Sequence, residues 1–307
     1  MRIVFMGTPE FAVASLDQLM SSSHNVVGVV TGPDRPSGRS LKLTKSAVKS
    51  KAEEYGLPIL QPEDFKDQDF LDEFLLMKPS AAVVVAFRIL PQEVYSVPQY
   101  GCINLHASLL PDLRGAAPIN WAIMRGYKKT GLTTFQIERG IDTGKVLLQQ
   151  ALDIDNGDDF GSLSARMSFT GAELIVKTLD LLESGTINLV QQKGNGSKAP
   201  RIFKEDCLID WNRPAVDIHN QVRGLSPVPC AYTMLEDKLL KIYRSRVLIG
   251  DNTHLPGSVL PVTDGSLLVK CGSGILQVLE LQVEGKRRMD YIEFMRGRPI
   301  SAGTSLG

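Results

Sequence analysis

Asn104 and His106 stand two residues apart in the run Gly101-Cys102-Ile103-Asn104-Leu105-His106, which reads as a β-strand. Period two puts both side chains on one face. Three polar clusters follow: Ser108-Leu109-Leu110-Pro111, Arg114-Gly115-Ala116-Ala117-Pro118 and Gly140-Ile141-Asp142-Thr143-Gly144. An amide donor, an imidazole and a carboxylate suffice for acyl transfer to an amine. The donors polarise the carbonyl and steady the oxyanion, and the carboxylate handles the proton that leaves the amine. Singly, each residue has a plain structural role. A histidine near a strand end is more often a hydrogen-bonded core residue. An Asp in Gly-Ile-Asp-Thr-Gly is usually a turn residue, and Ser108 could cap a helix. Their occurrence in order around a strand end favours a site. A serine hydrolase is disfavoured because no GxSxG occurs. The four histidines lack ligand spacing, so no metal is expected.

The elements that must position these groups read as α/β. Residues 3–6, 26–31, 81–87 and 101–106 are apolar runs of the kind buried on both faces of a parallel sheet. Residues 11–20 have helical spacing. Alternation of the two predicts an open, doubly wound, mostly parallel sheet of Rossmann-like type. Ligands of such sheets bind at the carboxyl ends of strands. Gly7-Thr8-Pro9-Glu10-Phe11 lacks GxGxxG, which disfavours a nicotinamide cofactor. It serves equally as a strand-to-helix turn with Pro at the start. After residue 187 the composition changes. Residues 191–200 are polar and Gly-rich, as in a linker. Short runs at 238–242, 246–249, 258–262, 267–271 and 276–282, separated by Gly and Asp, predict a smaller C-terminal OB-like β-barrel, preceded by a helix over 214–222. The expected division is 1–187, a linker over 188–205, and 206–307.

The 307 residues are 43% apolar and 22% charged, an ordinary globular composition. Lys plus Arg and Asp plus Glu both number 34, so any contact with nucleic acid must rest on a local patch. Two patches occur. Over 34–51, Arg35, Arg39, Lys42, Lys45, Lys49 and Lys51 face only Asp34. This is a solvated surface loop running into an amphipathic helix, or a basic finger entering an RNA end. Lys286, Arg287, Arg288, Arg296 and Arg298, with Asp290 and Glu293, give the barrel a basic edge. An OB-type barrel can bind nucleic acid, but fold alone does not establish it. Trp121, Trp211 and Tyr232 could stack on bases, although core packing is the better assignment. Four cysteines without metal or redox spacing point to a reducing cytosol. The apolar run at the start is too short for a signal peptide, and no stretch is long enough to span a bilayer, so no membrane role is expected.

The pattern Asn104-x-His106-x-Ser108-Leu109-Leu110-Pro111-x-x-Arg114-Gly115, with Asp142 in an xDTG turn, resembles the signature of the folate-dependent formyltransferases. MRIVFMGTPEFAV at the start, PDRPSGR at 33–39, RGAAPI at 114–119, ERGIDTG at 138–144, and KED followed by IDW at 204–211 are similar to the tRNA-directed branch of that family. The likeness covers essentially the whole chain. It implies 10-formyltetrahydrofolate as formyl donor and initiator methionyl-tRNA as acceptor, with no obligatory protein partner evident. Asn104 and His106 would bind and polarise the formyl oxygen. Asp142 would order His106 or a water that accepts the amine proton. Ser108, Leu109, Leu110 and Pro111, with Phe87, Arg88, Ile89 and Leu90, would line the folate site. Arg35, Arg39, Lys42, Lys45, Lys286, Arg287 and Arg288 would contact tRNA. The family often has a Tyr-Gly pair where this chain reads Ala86-Phe87-Arg88-Ile89-Leu90-Pro91, and Pro-Gly-Ala where it has Pro229-Cys230-Ala231. The rival readings are a formyltransferase for glycinamide ribonucleotide or an amino sugar nucleotide, a formylfolate hydrolase, and a non-catalytic RNA-binding protein. Neither small-amine enzyme would need the basic loop or the barrel.

Overall fold

The computed structural model describes residues 1–37, 42–250, 253–261, 266–297 and 300–307. The first strands are β1 (Arg2–Gly7), β2 (Asn25–Val30), a short ribbon of β3 (Arg35–Ser37) against β4 (Lys42–Thr44), β5 (Ile59–Leu60), β6 (Ala81–Val85), β7 (Cys102–His106), β8 (Lys129–Gln136) and β9 (Val146–Asp153). Seven form one sheet in the order β5-β2-β1-β6-β7-β8-β9. The pairs from β5 to β7 are parallel, and β8 runs antiparallel to β7. The sequence explains the centre: β6 is Ala-Ala-Val-Val-Val and every residue is buried, as a strand covered on both faces requires. Helices α1 (Val13–Met20), α2 (Ala47–Glu54), α3 (Gln68–Leu76) and α4 (Gln92–Tyr95) fall between the strands. Ser46 caps α2 by accepting the Lys49 N–H at 2.9 Å, and Asp67 caps α3.

The chain divides into two compact units. The first comprises 1–115, 130–152 and 164–198, and the second 116–129, 153–163 and 199–307. Helix α5 (Pro118–Met124) therefore belongs to the second unit. Helix α6 (Phe160–Glu183) belongs to the first from Ser164 onward. In the second unit, α7 (Ala215–Leu225) is followed by β10 (Ala231–Leu235), β11 (Lys238–Leu248), β12 (Leu267–Lys270), β13 (Ile275–Val283), β14 (Met289–Asp290) and α8 (Tyr291–Gly297). The strands make a five-stranded antiparallel sheet in the order β10-β11-β13-β12, with β14 on β13. This curled sheet is the expected OB-like half-barrel, packed around Trp211, Ile218, Leu240, Leu276 and Leu281.

Several boundaries differ from expectation for physical reasons. The strand over 81–87 stops at Val85 because Ala86 takes φ +46°, which no ladder accommodates. Residues 238–242 and 246–249 are one strand, β11, bent by irregular register between Ile242 and Ser245. The 258–262 run supplies only single bridges, Ser258 with Ser305 and Val259 with Val269, and Val262 lies outside the described residues. Strands β8 and β9 were not anticipated. Lys-Thr-Gly-Leu-Thr-Thr-Phe-Gln shows no apolar run because Thr133 and Thr134 are buried with hydrogen-bond partners, such as Thr134 Oγ1 with Thr178 Oγ1 at 2.9 Å.

All four cysteine thiols are free and buried, and burial pushes that of Cys102 up to about 12. Burial, helped by Arg223, pushes His219 down to about 4, with its Nδ1 held 2.9 Å from Ser245 Oγ. The unfolded chain therefore takes up a proton here that the folded chain refuses. Stability should fall as pH drops from about 6.5 to about 4. Denaturant midpoints for the parent and His219→Gln should converge or cross across that window; parallel curves would contradict it.

Candidate active site

Strand β7 ends at the site. Asn104 pairs with Phe135 and His106 with Thr133 across the β7–β8 ladder. Asn104 and Asp142 line one cavity, with Val84, Phe87, Arg88, Ile89, Phe135, Ile137, Gly140 and Ile141. His106 is only 6% exposed. Its Nε2 is 2.9 Å from the carbonyl oxygen of Leu113. A carbonyl can only accept, so Nε2 carries the hydrogen and Nδ1 of the neutral ring is an acceptor. Nδ1 lies 3.6 Å from Asp142 Oδ2. Two acceptors thus face each other, and a proton entering the gap converts repulsion to attraction.

The Asp142 turn is held from several sides. Its Oδ2 accepts the Gly115 N–H at 2.9 Å. Gln192 Nε2 donates to the carbonyls of Asp142 at 2.9 Å and Gly144 at 2.8 Å. Gln192 Oε1 accepts from Arg114 Nη2 at 2.6 Å and Nε at 3.2 Å. Gly144 is required, because a Cβ there would lie 1.7 Å from the Gln136 carbonyl oxygen. Asp142 at φ +53°, Leu113 at +58° and Ala86 at +46° are half of the six non-glycine residues in the left-handed region among the described residues. Backbone held in that region costs free energy and tends to collect where function needs it.

The 108–111 loop is placed differently from Asn104 and Asp142. Ser108 is fully buried and its Oγ donates to the Asp112 carbonyl at 2.5 Å. Thr133 Oγ1 donates to the Ser108 carbonyl at 2.7 Å and accepts from the Leu110 N–H at 3.1 Å. Gln149 Nε2 donates to Thr133 Oγ1 and to the Leu110 carbonyl. Ser108, Leu109, Leu110, Pro111 and the buried Leu90 are not on the wall of the Asn104 cavity; Phe87, Arg88 and Ile89 are. The Arg88 guanidinium lies 4.3 Å from the Phe65 ring and 5.6 Å from the Phe87 ring. It donates to the carbonyls of Pro62 and Glu63 at 2.6 and 3.1 Å. Burial lowers its pKa.

The basic residues are mostly engaged. In the first unit, Arg35 approaches Glu63 at 3.6 Å and Lys45 meets Glu53 at 2.7 Å. Lys49 and Gln61 both bond Asp34, which holds that carboxyl below its ordinary range. Arg39 and Arg298 lie outside the described residues, and Lys42 is placed only as part of β4. In the second unit, Arg288 makes two contacts to Glu280, at 2.6 and 2.7 Å, and Arg287 pairs with Glu293. Lys286 is exposed. Among the described residues, no group of three His, Cys, Asp or Glu is placed to hold a metal ion, and no helix is long and apolar enough to cross a membrane. Sequence reading missed Leu113, Thr133, Gln149 and Gln192. Leu113 acts through its carbonyl, and the polar composition of 191–200 disguised Gln192 as linker.

The family pattern described as Formyl transferase matches residues 1–179, and Formyl transferase, C-terminal domain, matches 201–299. The chain belongs to this family of formyl-transferring enzymes. Within it, the full-length relatives are methionyl-tRNA formyltransferases. That of Geobacter sulfurreducens is 46% identical over 311 residues, covering all of this chain and 97% of its own. Those of Pelotomaculum thermopropionicum and Caldanaerobacter subterraneus are 45% and 46% identical over 309 residues, covering all of this chain and 99% and 100% of theirs. Among solved structures, the sugar 3N-formyl transferase WlaRD superposes with a TM-score of 0.66 at 19% identity, over 94% of this chain and 99% of its own. HypX from Aquifex aeolicus, in complex with tetrahydrofolic acid, gives 0.65 at 17% identity, over 96% of this chain and 47% of its own. At those identities the likeness concerns the fold.

Thr133→Val should leave the Leu110 N–H and the Gln149 amide short of a buried partner, costing roughly 1–3 kcal/mol in a denaturant titration. Thr133→Ser, which keeps the hydroxyl, should cost less; equal losses would refute this account of the loop.

Proposed function

We propose that this chain transfers the formyl group of 10-formyltetrahydrofolate to the α-amino group of methionyl-initiator tRNA, giving N-formylmethionyl-tRNA for translation initiation. The observation that carries the reading is the end-to-end match, at 45–46% identity, to relatives named methionyl-tRNA formyltransferase. The site's chemistry supports it. The folate co-substrate supplies a carbonyl carbon attached to a nitrogen that can leave. The apolar and aromatic cavity of Val84, Phe87, Ile89, Phe135 and Ile137 suits a flat ring system, with Arg88 at its edge. In this reading Phe87, Arg88 and Ile89 contact the donor. Leu90 and the 108–111 loop hold the wall from behind.

Asn104 carries the free amide on that wall, and its N–H is suited to donate to the formyl oxygen as negative charge develops there. Asp142 stands on the same wall and is suited to accept the proton that the attacking amine must lose. The proton then comes to lie between Asp142 Oδ2 and His106 Nδ1, 3.6 Å apart, and passes to the folate nitrogen as that nitrogen's bond to the formyl carbon breaks. His106 therefore acts from behind Asp142, stabilising it as it becomes protonated, and contributes to polarising the carbonyl through that pair. No metal ion is needed for these steps.

Arg35, Arg39, Lys42 and Lys45 on the first unit, and Lys286, Arg287 and Arg288 on the second, are assigned to tRNA phosphates. In this reading the chain has a catalytic portion (1–187), a linker (188–205) and a tRNA-contacting portion (206–307). Initiator tRNA as substrate implies work in the cytoplasm.

A formylation assay comparing charged initiator tRNA, free methionine and an amino sugar nucleotide tests the reading. Product only on tRNA is expected, and product only on a small amine would overturn it. Asp142→Asn should cut the single-turnover rate by roughly 10²–10⁴ while leaving tRNA affinity intact; a near-parent rate would remove Asp142 from the chemistry. Affinity for tRNA should fall linearly in log–log form as salt rises. Arg287→Ala and Arg288→Ala should each shrink the slope by roughly one, because each takes one cation away from a phosphate. A flat salt profile would contradict both patches.

A further inference from the structure

We infer that the polar segment 190–198, which composition marks as linker, is a strap that positions both members of the His106–Asp142 pair, with Gln192 and Ser197 as its positioning residues. The inference rests on the formyl-transfer reading above and assigns part of its machinery to residues outside the recognised motif.

The strap is tied at both ends. At one end Val190 exchanges two backbone hydrogen bonds with Val146, at 2.8 and 2.9 Å. At the other, the Ser197 carbonyl accepts the Arg114 N–H at 3.0 Å. Between them, Gly196 lies so close to the 108–111 loop that a Cβ would sit 1.8 Å from the Pro111 carbonyl oxygen.

Each tie leads to a reacting group. Gln192 spends both amide hydrogens on the Asp142 and Gly144 carbonyls, and its oxygen on Arg114. It thereby fixes the left-handed turn that presents the Asp142 carboxylate. Ser197 Oγ accepts the Leu113 N–H at 3.0 Å, and both its N–H and Oγ meet Asp112 Oδ1, at 3.0 and 3.2 Å. Leu113 is the residue whose carbonyl holds His106 Nε2. So one segment sets the aim of the carboxylate through Gln192 and the tautomer of the imidazole through Ser197. Gln192 engages its whole side-chain amide, and Ser197 its hydroxyl, N–H and carbonyl, which a solvated linker has no reason to do.

The test uses full-length Gln192→Glu and Ser197→Ala, with Ser197→Thr as the conservative control. Glu keeps the side-chain size and the acceptor for Arg114 but loses both donors to the turn. A displacement of about 1 Å near the chemistry costs up to about 10²-fold in rate. Gln192→Glu should therefore lower kcat by roughly 10–100-fold, with KM for both substrates within about twofold and thermal midpoint nearly unchanged. A second readout needs no turnover: nitrogen-15 NMR of labelled histidines should show His106 as the Nε2–H tautomer in the parent. Ser197→Ala should admit the Nδ1–H form, and Ser197→Thr should restore the parent signal.

Rates at parent level in Gln192→Glu, or losses that merely track unfolded protein, would overturn the strap's role toward Asp142. An unchanged tautomer in Ser197→Ala would overturn its role toward His106. If the parent itself fails to formylate methionyl-tRNA, the functional reading falls, and the NMR result still decides whether the strap orients the ring.

Discussion

The hydrogen bond from His106 Nε2 to the Leu113 carbonyl, 2.9 Å long, determines what the rest of the site can do. It settles which ring nitrogen bears hydrogen, and so leaves a lone pair aimed at Asp142. Without it the imidazole could present Nδ1–H to the carboxylate, which in the proposed mechanism would satisfy Asp142 before it takes the amine's proton. Much of the surrounding architecture keeps that carbonyl in place. Leu113 sits at φ +58° and only 2% exposed, its N–H tied to Ser197, between a buried loop and a motif arginine. Backbone that would relax to a more common conformation alone is kept where it is by packing and by neighbouring hydrogen bonds.

The sheet provides the rigid part of this arrangement. A strand end in a mixed sheet gives Asn104 and His106 a fixed spacing, and the antiparallel partner β8 brings Thr133 under the loop that follows. Parallel strands alone would need long crossovers to bring a neighbour there. The change of direction lets one buried hydroxyl, Thr133, serve three partners in the 108–111 loop and Gln149. The catalytic face and the loop beneath it are therefore one hydrogen-bonded body.

The sequence made some of this legible and hid the rest. Apolar runs revealed β1, β2, β6 and β7, because strands buried on both faces must be apolar. The same logic failed for β8, whose Thr133 and Thr134 are buried with partners that no local pattern reveals. Asn104, His106 and Asp142 could be picked out because their residue types have chemistry and their motif is dense. Leu113, whose contribution is a carbonyl, leaves no trace in residue type. Gln192 was obscured by Gly and Lys neighbours that read as solvent-exposed linker. Phe87, Arg88 and Ile89 line the Asn104 cavity, while the backbone of the 108–111 loop is bonded to Thr133 and Gln149, partners that its residue types do not reveal.

The ion pairs of the basic patches carry a consequence for selectivity. Lys45, Arg35, Arg288 and Arg287 already hold Glu53, Glu63, Glu280 and Glu293. In the proposed complex, a phosphate at any of these four must displace a resident carboxylate instead of meeting a bare cation. Such an exchange gives little to a polyanion that touches one site at a time. It rewards a ligand whose shape engages many sites together, so a chain of zero net charge can ignore bulk RNA yet hold the one that fits.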